Sequence, residues 1–481
     1  MEASPAPATL PDMSLIMGQS VLSELNLDFS SLFLLAVTIC AFMIPVIVIL
    51  PPVPIRKSDA LLQTHTRAGL RKAKSNLSDQ YASEHGPKKG ISTTVQSLLL
   101  YPVKSCRGIE VTRSRVLPQG LEFDRLFMFA QLKSPFPISV NADDEEKNRH
   151  KWVFITQRQF PLLATVKVDL WLPDEMKLRR QSLKTNEAFL ILRFPWKEAG
   201  WRGLMSSIFA KLGGGAGAHP EKEILLPVDF PAVAEIKDKG YTFESVKIWN
   251  ETVTALNMTT ELPEELCRYL GVSNKLGLFR VDPSRLREVY RTAPSKESAG
   301  YQPVTGFQDA FPLHMITLSS IQQFSKEVPK DESLRDLDVL RFRANVILSG
   351  SPAYDEETWK SVRFKPGRSK LHNDASFHVS CRTVRCKMPN VDPETGIRHP
   401  REPDRTLRAK RDVDEGAKGN GCLGMQLTPL FEDAVSASGS KSGLLGDDDV
   451  NDGYEQSTWI EVGMTVEVEE RGNHVYIPQG K

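Results

Sequence analysis

The chain has 481 residues, 40% hydrophobic and 25% charged, enough to bury a core over about two to four domains of ordinary size. Lys plus Arg is 61 and Asp plus Glu is 60, and a net charge of +1 argues against a general nucleic-acid binder. The six scattered cysteines (Cys40, Cys106, Cys267, Cys381, Cys386 and Cys422) are too few for a disulfide framework and point to a reducing compartment.

Residues 1–30 read as a tail with four acids and no Lys or Arg, unlike a cleaved signal peptide. The run LFLLAVTICAFMIPVIVIL follows. A bilayer core of about 30 Å takes roughly 20 helical residues, so residues 31–51 are expected to form a transmembrane anchor. Arg56, Lys57, Arg67, Arg71, Lys72 and Lys74 come next, and the positive-inside tendency puts the remainder in the cytosol. Residues 52–92 read as a basic, polar tether.

Residues 93–131 hold short apolar and β-branched runs punctuated by turn signals, which favours a β-barrel or β-rich α+β domain over a doubly wound sheet. Residues 134–150 read as a polar loop and 196–220 as an inserted loop. ESVKIWNETVTALNM reads as strand and TTELPEELCRYLG as a helix ending at Gly271. ITLSSIQQFSKEV reads as a helix capped by Ser319 or Ser320, and LRFRANVILSG as a strand carrying Arg343. Residues 405–425 read as a long loop and 435–457 as a disordered acidic insertion. WIEVGMTVEVEERGNHVYI reads as a closing hairpin turning near Arg471, Gly472 and Asn473.

Phosphate-cradling nucleotide motifs, G-x-S-x-G and HExxH are all absent. SCRTVRCKMPNVDPETG places Cys381 and Cys386 at C-x4-C spacing, without the second pair a structural zinc site needs. Arg382 and Arg385 flank them and supply the positive charge that suits a thiolate ligand. Such a cysteine taken alone is more often a buried small hydrophobe than a ligand. Lys104 and Ser105 in LYPVKSCRG and Arg125 in GLEFDR offer an ammonium, a hydroxyl and a guanidinium suited to an anion, unless they are merely a solvated turn. Arg343 on an apolar strand needs either an internal carboxylate or a ligand anion.

Together, YPVKSCRGIEV, GLEFDR, FITQRQFPLLA, VKIWNETVTALNM, RFRANVILSG, PAYDEETWKSVRF and RCKMPNVDPETG, in that order, resemble the molybdenum-cofactor sulfurase C-terminal (MOSC) domain proteins across residues 93–478. With the expected anchor, the resemblance is to the mitochondrial amidoxime-reducing component group. It implies a β-rich α+β fold: a MOSC N-terminal β-barrel domain at 93–284 and a MOSC β-barrel domain at 285–478. It implies a Mo-molybdopterin cofactor of the sulfite-oxidase type, its metal on Cys386, with Cys381 the non-ligand cysteine. Lys104, Ser105, Arg125, Arg343, Asn345 and Arg385 would grip the pterin and its phosphate, and Asp309 would lie near them. The implied reaction is reduction of N-hydroxylated substrates such as amidoximes and hydroxylamines. Electrons would come from cytochrome b5 and its NADH-dependent reductase, since the chain shows no flavin, haem or nicotinamide motif. The implied site is the mitochondrial outer membrane, with the soluble part cytosolic. The alternative is a sulfur-carrier or cofactor-binding MOSC module without reductase activity. The sulfurases, however, carry a pyridoxal-phosphate domain upstream for which this chain has no motif. The chain departs from the family in the two extra residues of CRTVRC, in Pro389 and Asn390, in Phe311, and in the additions at 405–425 and 435–457.

Overall fold

The structure is a computed structural model that describes residues 29–49, 56–87, 92–135, 149–181, 186–215, 217–367, 373–431 and 456–478. The chain divides into two compact units, Met1–Ile55 with Lys197–Pro220, and Arg56–Trp196 with Glu221–Lys481.

Among the described residues the first unit holds two helices, Phe29–Ile49 and Gly200–Gly214. The second falls where an inserted loop was expected, because Leu, Met, Ala and Lys propagate a helix from Gly200 until Gly215, at φ 86, ends it. Among the described residues no helix is long and apolar enough to cross a membrane. The side chains described in the Phe29–Ile49 helix cover residues 30–45, short of the run expected for an anchor at 31–51, so that part of the expected architecture is without structural support.

The second unit is built on two closed barrels. One joins Thr242–Ile248, Glu251–Asn257, Leu276–Arg280, Phe127–Lys133 and Lys151–Phe154 around Met128, Trp152, Val246 and Phe279. The other is an eight-stranded sheet running Val346–Ser349, Leu313–Thr317, Cys422–Leu430, Ala375–Val384, Trp359–Lys365, Thr465–Arg471, Thr94–Leu100 and Ile109–Val111. It closes because Val346–Ser349 also pairs with Thr94–Leu100. Ala375–Val384 alternates buried and partly buried residues over much of its length, as a strand with one face on a core does. Trp359, Phe364, Phe377, Leu98, Met425 and Leu427 fill that core. A four-stranded sheet of His65–Arg67, Lys167–Pro173, Phe189–Pro195 and Glu221–Pro227 flanks the barrels.

Several sequence expectations change. The segment expected as a tether is packed from Arg56 onward: His65–Arg67 pairs with Lys167–Pro173, and Tyr81 Oη donates to Leu337 O at 2.8 Å. The helix Leu318–Glu327 is capped by Thr317, whose hydroxyl accepts from Ser320 N–H, in place of Ser319 or Ser320. LRFRANVILSG forms a 3-10 turn, Val339–Phe342, then Arg343 at φ 54, then the strand Val346–Ser349, so Arg343 precedes the strand. The expected closing hairpin is two strands, Thr458–Glu461 and Thr465–Arg471, which turn at Gly463 and enter different sheets. The 405–425 region contains the helix Asp404–Lys410 and the start of the strand Cys422–Leu430. The helix Glu264–Leu270 does end at Gly271, in left-handed conformation. Most of the loop at 134–150 and nearly all of the insertion at 435–457 lie outside the described residues.

Candidate functional site

A cavity of about 350 Å³ lies where the two barrels meet. All the residues singled out from the sequence line it: Cys386, Lys104, Ser105, Arg125, Asp309, Arg343, Asn345 and Arg385. Ser105 (φ 69), Arg125 (φ 49), Arg343 (φ 54) and the lining Trp249 (φ 54) all adopt left-handed backbone, which non-glycine residues keep only where their surroundings enforce it. Strained backbone of this kind concentrates at functional sites.

The basic wall is assembled on Tyr101 and Asn345. The Tyr101 ring is sandwiched between two guanidiniums, with Arg125 4.8 Å and Arg343 4.2 Å from its centroid. Arg125 Nη1 donates to Asp124 Oδ2 at 2.5 Å and to Asn345 Oδ1 at 3.0 Å. Asn345, 1% exposed, also donates from Nδ2 to Leu99 O at 3.1 Å. Arg343 Nη1 donates to Cys106 O at 2.6 Å, while its Nη2 is buried without a hydrogen-bond partner. Arg385 Nη2 donates to Phe342 O at 2.9 Å, and its Nε has none. Ser105 Oγ is likewise buried and unpaired. Buried donors left unmade cost about 1–3 kcal/mol each, so three of them on one cavity wall mark where ligand acceptors complete the structure. Charge on Arg343 and Arg385 makes an anionic acceptor the fitting one.

Lys104 is 5% exposed; its Nζ donates to Phe307 O and Asp309 Oδ1, both at 2.6 Å. Burial pushes its ammonium down to about 8, although Asp309 pulls the other way. Burial works to raise the Asp309 carboxyl, but the Lys104 ammonium and the Trp249 N–H (3.1 Å) outweigh it and hold it well below the usual carboxylate range. The Asp309 side chain lies deep in the protein yet is 50% open, because it faces the cavity. Burial pushes Arg343 down to about 10. His314, on the strand Leu313–Thr317, also lines the cavity, and burial, then Arg385 and Arg125, hold its imidazole well below its ordinary value. Gly424 stands behind it at φ 84, where a Cβ would fall 2.4 Å from His314 Nε2.

The two cysteines of C-x4-C part company. Cys381 is fully buried beside Val289 and Phe311, and burial pushes its thiol up to about 12. Cys386 lies just beyond the strand Ala375–Val384, is free and half-buried, and lines the cavity. Arg382, expected to favour a thiolate, is instead committed to Glu357 (3.1 Å), Asp414 (3.2 Å) and His474 O (2.9 Å).

The turn after Cys386 is fixed by Arg341, which sequence reasoning missed. Arg341, 4% exposed, donates to Pro389 O at 3.2 Å and Asn390 O at 3.4 Å and pairs with Asp392 at 2.8 Å. Asp392 Oδ1 in turn accepts from the Glu394 and Thr395 N–H groups. Asn390 ties this turn to the added helix: its Oδ1 accepts from Asp404 N–H at 3.0 Å and its Nδ2 donates to His399 O at 3.1 Å. Tyr101, Asp124 and His314 were also missed. The one available signal was an arginine at alternate positions in LRFRAN, on an otherwise apolar segment.

Residues 92–194 match the MOSC N-terminal beta barrel domain family, and residues 302–466 match the MOSC domain family. Mitochondrial amidoxime reducing component 2 of Rattus norvegicus is 23% identical over 338 residues, 70% of this chain and 77% of that protein. Mitochondrial amidoxime-reducing component 1 of Homo sapiens is 23% identical over 324 residues, 67% of this chain and 73% of that protein. Molybdenum cofactor sulfurase of Danio rerio is 24% identical over 339 residues, 69% of this chain but 32% of that protein. With both domain families matched in order and two closed barrels meeting at one cavity, the chain belongs to the MOSC-domain proteins.

Proposed function

We propose that this chain is a molybdenum-cofactor oxidoreductase that reduces N-hydroxylated substrates such as amidoximes and hydroxylamines. The observation that carries the reading is a free, half-buried cysteine on the same cavity as three buried, unpaired donors. The donor set fits a sulfur-ligated redox metal on a phosphate-tailed organic group: Cys386 Sγ is a soft ligand, and Ser105, Arg343 and Arg385 suit phosphate and pterin acceptors. When bound, a molybdopterin group supplies two-electron oxygen-atom chemistry. Arg125 and Asn345 hold the basic wall in one geometry. Lys104 Nζ holds a proton 2.6 Å from Asp309 Oδ1, and Asp309 faces the cavity, so the pair delivers a proton where N–O reduction consumes one. Electrons from cytochrome b5 and its NADH-dependent reductase are part of the proposal. Anchoring through residues 31–51 at the mitochondrial outer membrane is also part of it and rests on the apolar run and the relatives' names.

The test is full-length protein produced with cofactor supply, its molybdenum content, and benzamidoxime reduction with NADH, cytochrome b5 and the reductase. Cys386→Ala should abolish turnover and change the metal's coordination spectrum. Full activity with an unchanged spectrum would sink the assignment. Molybdenum retention without turnover in the unaltered chain would favour a cofactor-binding module, a reading the similarity to the sulfurase keeps open.

A further inference from the structure

A second cluster of ligand-type side chains lies in the segment ahead of the strand Thr94–Leu100, outside the cavity. Asp79, Glu84 and His85 each bring one side-chain ligand atom within 4.8 Å of the others, the only such group among the described residues. His85 is 4% exposed, and its Nε2 is buried without a hydrogen-bond partner. That nitrogen stands 3.3 Å from Asp79 Oδ1. At bond lengths of about 2.0–2.1 Å, tetrahedral ligands sit about 3.3–3.4 Å apart, so this separation matches one edge of a zinc-type site. Among the described residues neither carboxylate bonds to a side chain outside the cluster.

The backbone holds the three residues in place. Gln322 Nε2 donates to Gln80 O at 2.8 Å and Ala82 O at 3.2 Å, and Gly350 N–H donates to His85 O at 3.0 Å. The 3-10 turn Ser83–His85 sets Glu84 and His85 side by side. Asp79 also borders a groove shared with Asp336 and Asp338, whose carboxylates add negative potential there.

We propose that Asp79, Glu84 and His85 bind a divalent transition-metal ion of the zinc class, with water completing its coordination, and that the ion staples this segment to the barrel behind it. One imidazole with two carboxylates favours such an ion over calcium or magnesium, which take oxygen ligands. An ion that binds only the folded segment raises the chain's stability by mass action.

The test uses full-length, chelator-treated protein titrated with Co2+, then Zn2+. Wild type should bind one equivalent of Co2+ with a visible ligand-field band and without the near-ultraviolet thiolate band that binding at Cys386 gives. His85→Ala should lose that equivalent, and Glu84→Gln, an exposed change that leaves the fold intact, should weaken it at least tenfold. Zn2+ should raise the unfolding temperature of wild type and not of Glu84→Gln. Equal Co2+ binding by wild type and Glu84→Gln, or stronger binding of Ca2+ than of Zn2+, would overturn the proposal and leave a solvated acidic patch.

Discussion

Replacing Asn345 with Ala removes the bracket that joins the cavity's basic wall to the second barrel. Its Oδ1 accepts from Arg125 Nη1 at 3.0 Å and from His314 N–H at 3.3 Å, and its Nδ2 donates to Leu99 O at 3.1 Å. A neutral buried bond contributes about 0.5–1.5 kcal/mol and one to a charged group about 1.5–3. The bond to His314 is long, and Arg125 keeps Asp124 as a partner, so the low end of the sum applies, about 2.5 kcal/mol. The amide that is lost borders an existing cavity, so little new void is created. Native domains hold about 5–15 kcal/mol, so the variant still folds. Urea unfolding of the full-length chain, followed by tryptophan fluorescence, should show a lower midpoint at unchanged slope. A loss under about 1 kcal/mol would refute the reasoning, because it would mean that water or neighbouring groups replace all three bonds.

Three further outcomes follow from the same geometry. In loaded protein the bound anion holds the Lys104 ammonium above its ligand-free value of about 8, so the alkaline limb of N-reductive activity should lie above 8; Lys104→Arg, which stays charged but gives up no proton in this range, should lower the rate and remove that limb from the profile. Arg341→Met strips Asp392, Pro389 O and Asn390 O of their shared donor; with Asp392 partly open, the loss should be about 2–3 kcal/mol, seen in urea unfolding together with new protease cleavage between 392 and 398. Gly424→Ala combines left-handed strain with a 2.4 Å contact to His314 Nε2 and should cost at least about 2 kcal/mol in the same assay, whereas Gly463→Ala, at φ 91 in open space, should cost only about 1.

The cavity was largely legible in the sequence, because family-type motifs carry side chains that need an anion wherever they sit. Lys104, Ser105, Arg125, Arg343 and Cys386 could be named without knowing that two barrels bring them together. What holds them was not legible. Tyr101 matters only as a ring between Arg125 and Arg343; Asn345 was named for the cofactor, but its amide reaching Leu99 was not foreseen, and both contacts depend on strand pairing across long sequence separations. Arg382 misled for the same reason: beside two cysteines in sequence, it turns to Glu357 and Asp414 in space. Residues 196–220 were read as an inserted loop from their Gly-rich end, and helix propensity over 200–214 decided otherwise.

Charge balance at the cavity narrows what it can hold. Arg287 is matched by Glu251, and Arg382 by Glu357 and Asp414. That leaves Lys104, Arg125, Arg343 and Arg385 against Asp124 and Asp309. Burial chiefly, and neighbouring cations to a lesser degree, push Lys104 down to about 8 and Arg343 to about 10, so an uncompensated cation here is unfavourable. A phosphate tail carries about −1.5 to −2 charge, which offsets the excess. The consequence is measurable. In the ligand-free chain Lys104 titrates below its unfolded value of 10.5, so the unfolded state binds more protons between pH 8 and 10.5 and stability rises across that window. A bound anion restores the ammonium and removes this gain. Unfolding temperature against pH should therefore climb between 8 and 10 for stripped protein and stay flat or fall for loaded protein. Identical slopes in the two forms would show that the ligand's negative charge does not rest against Lys104 and its neighbours.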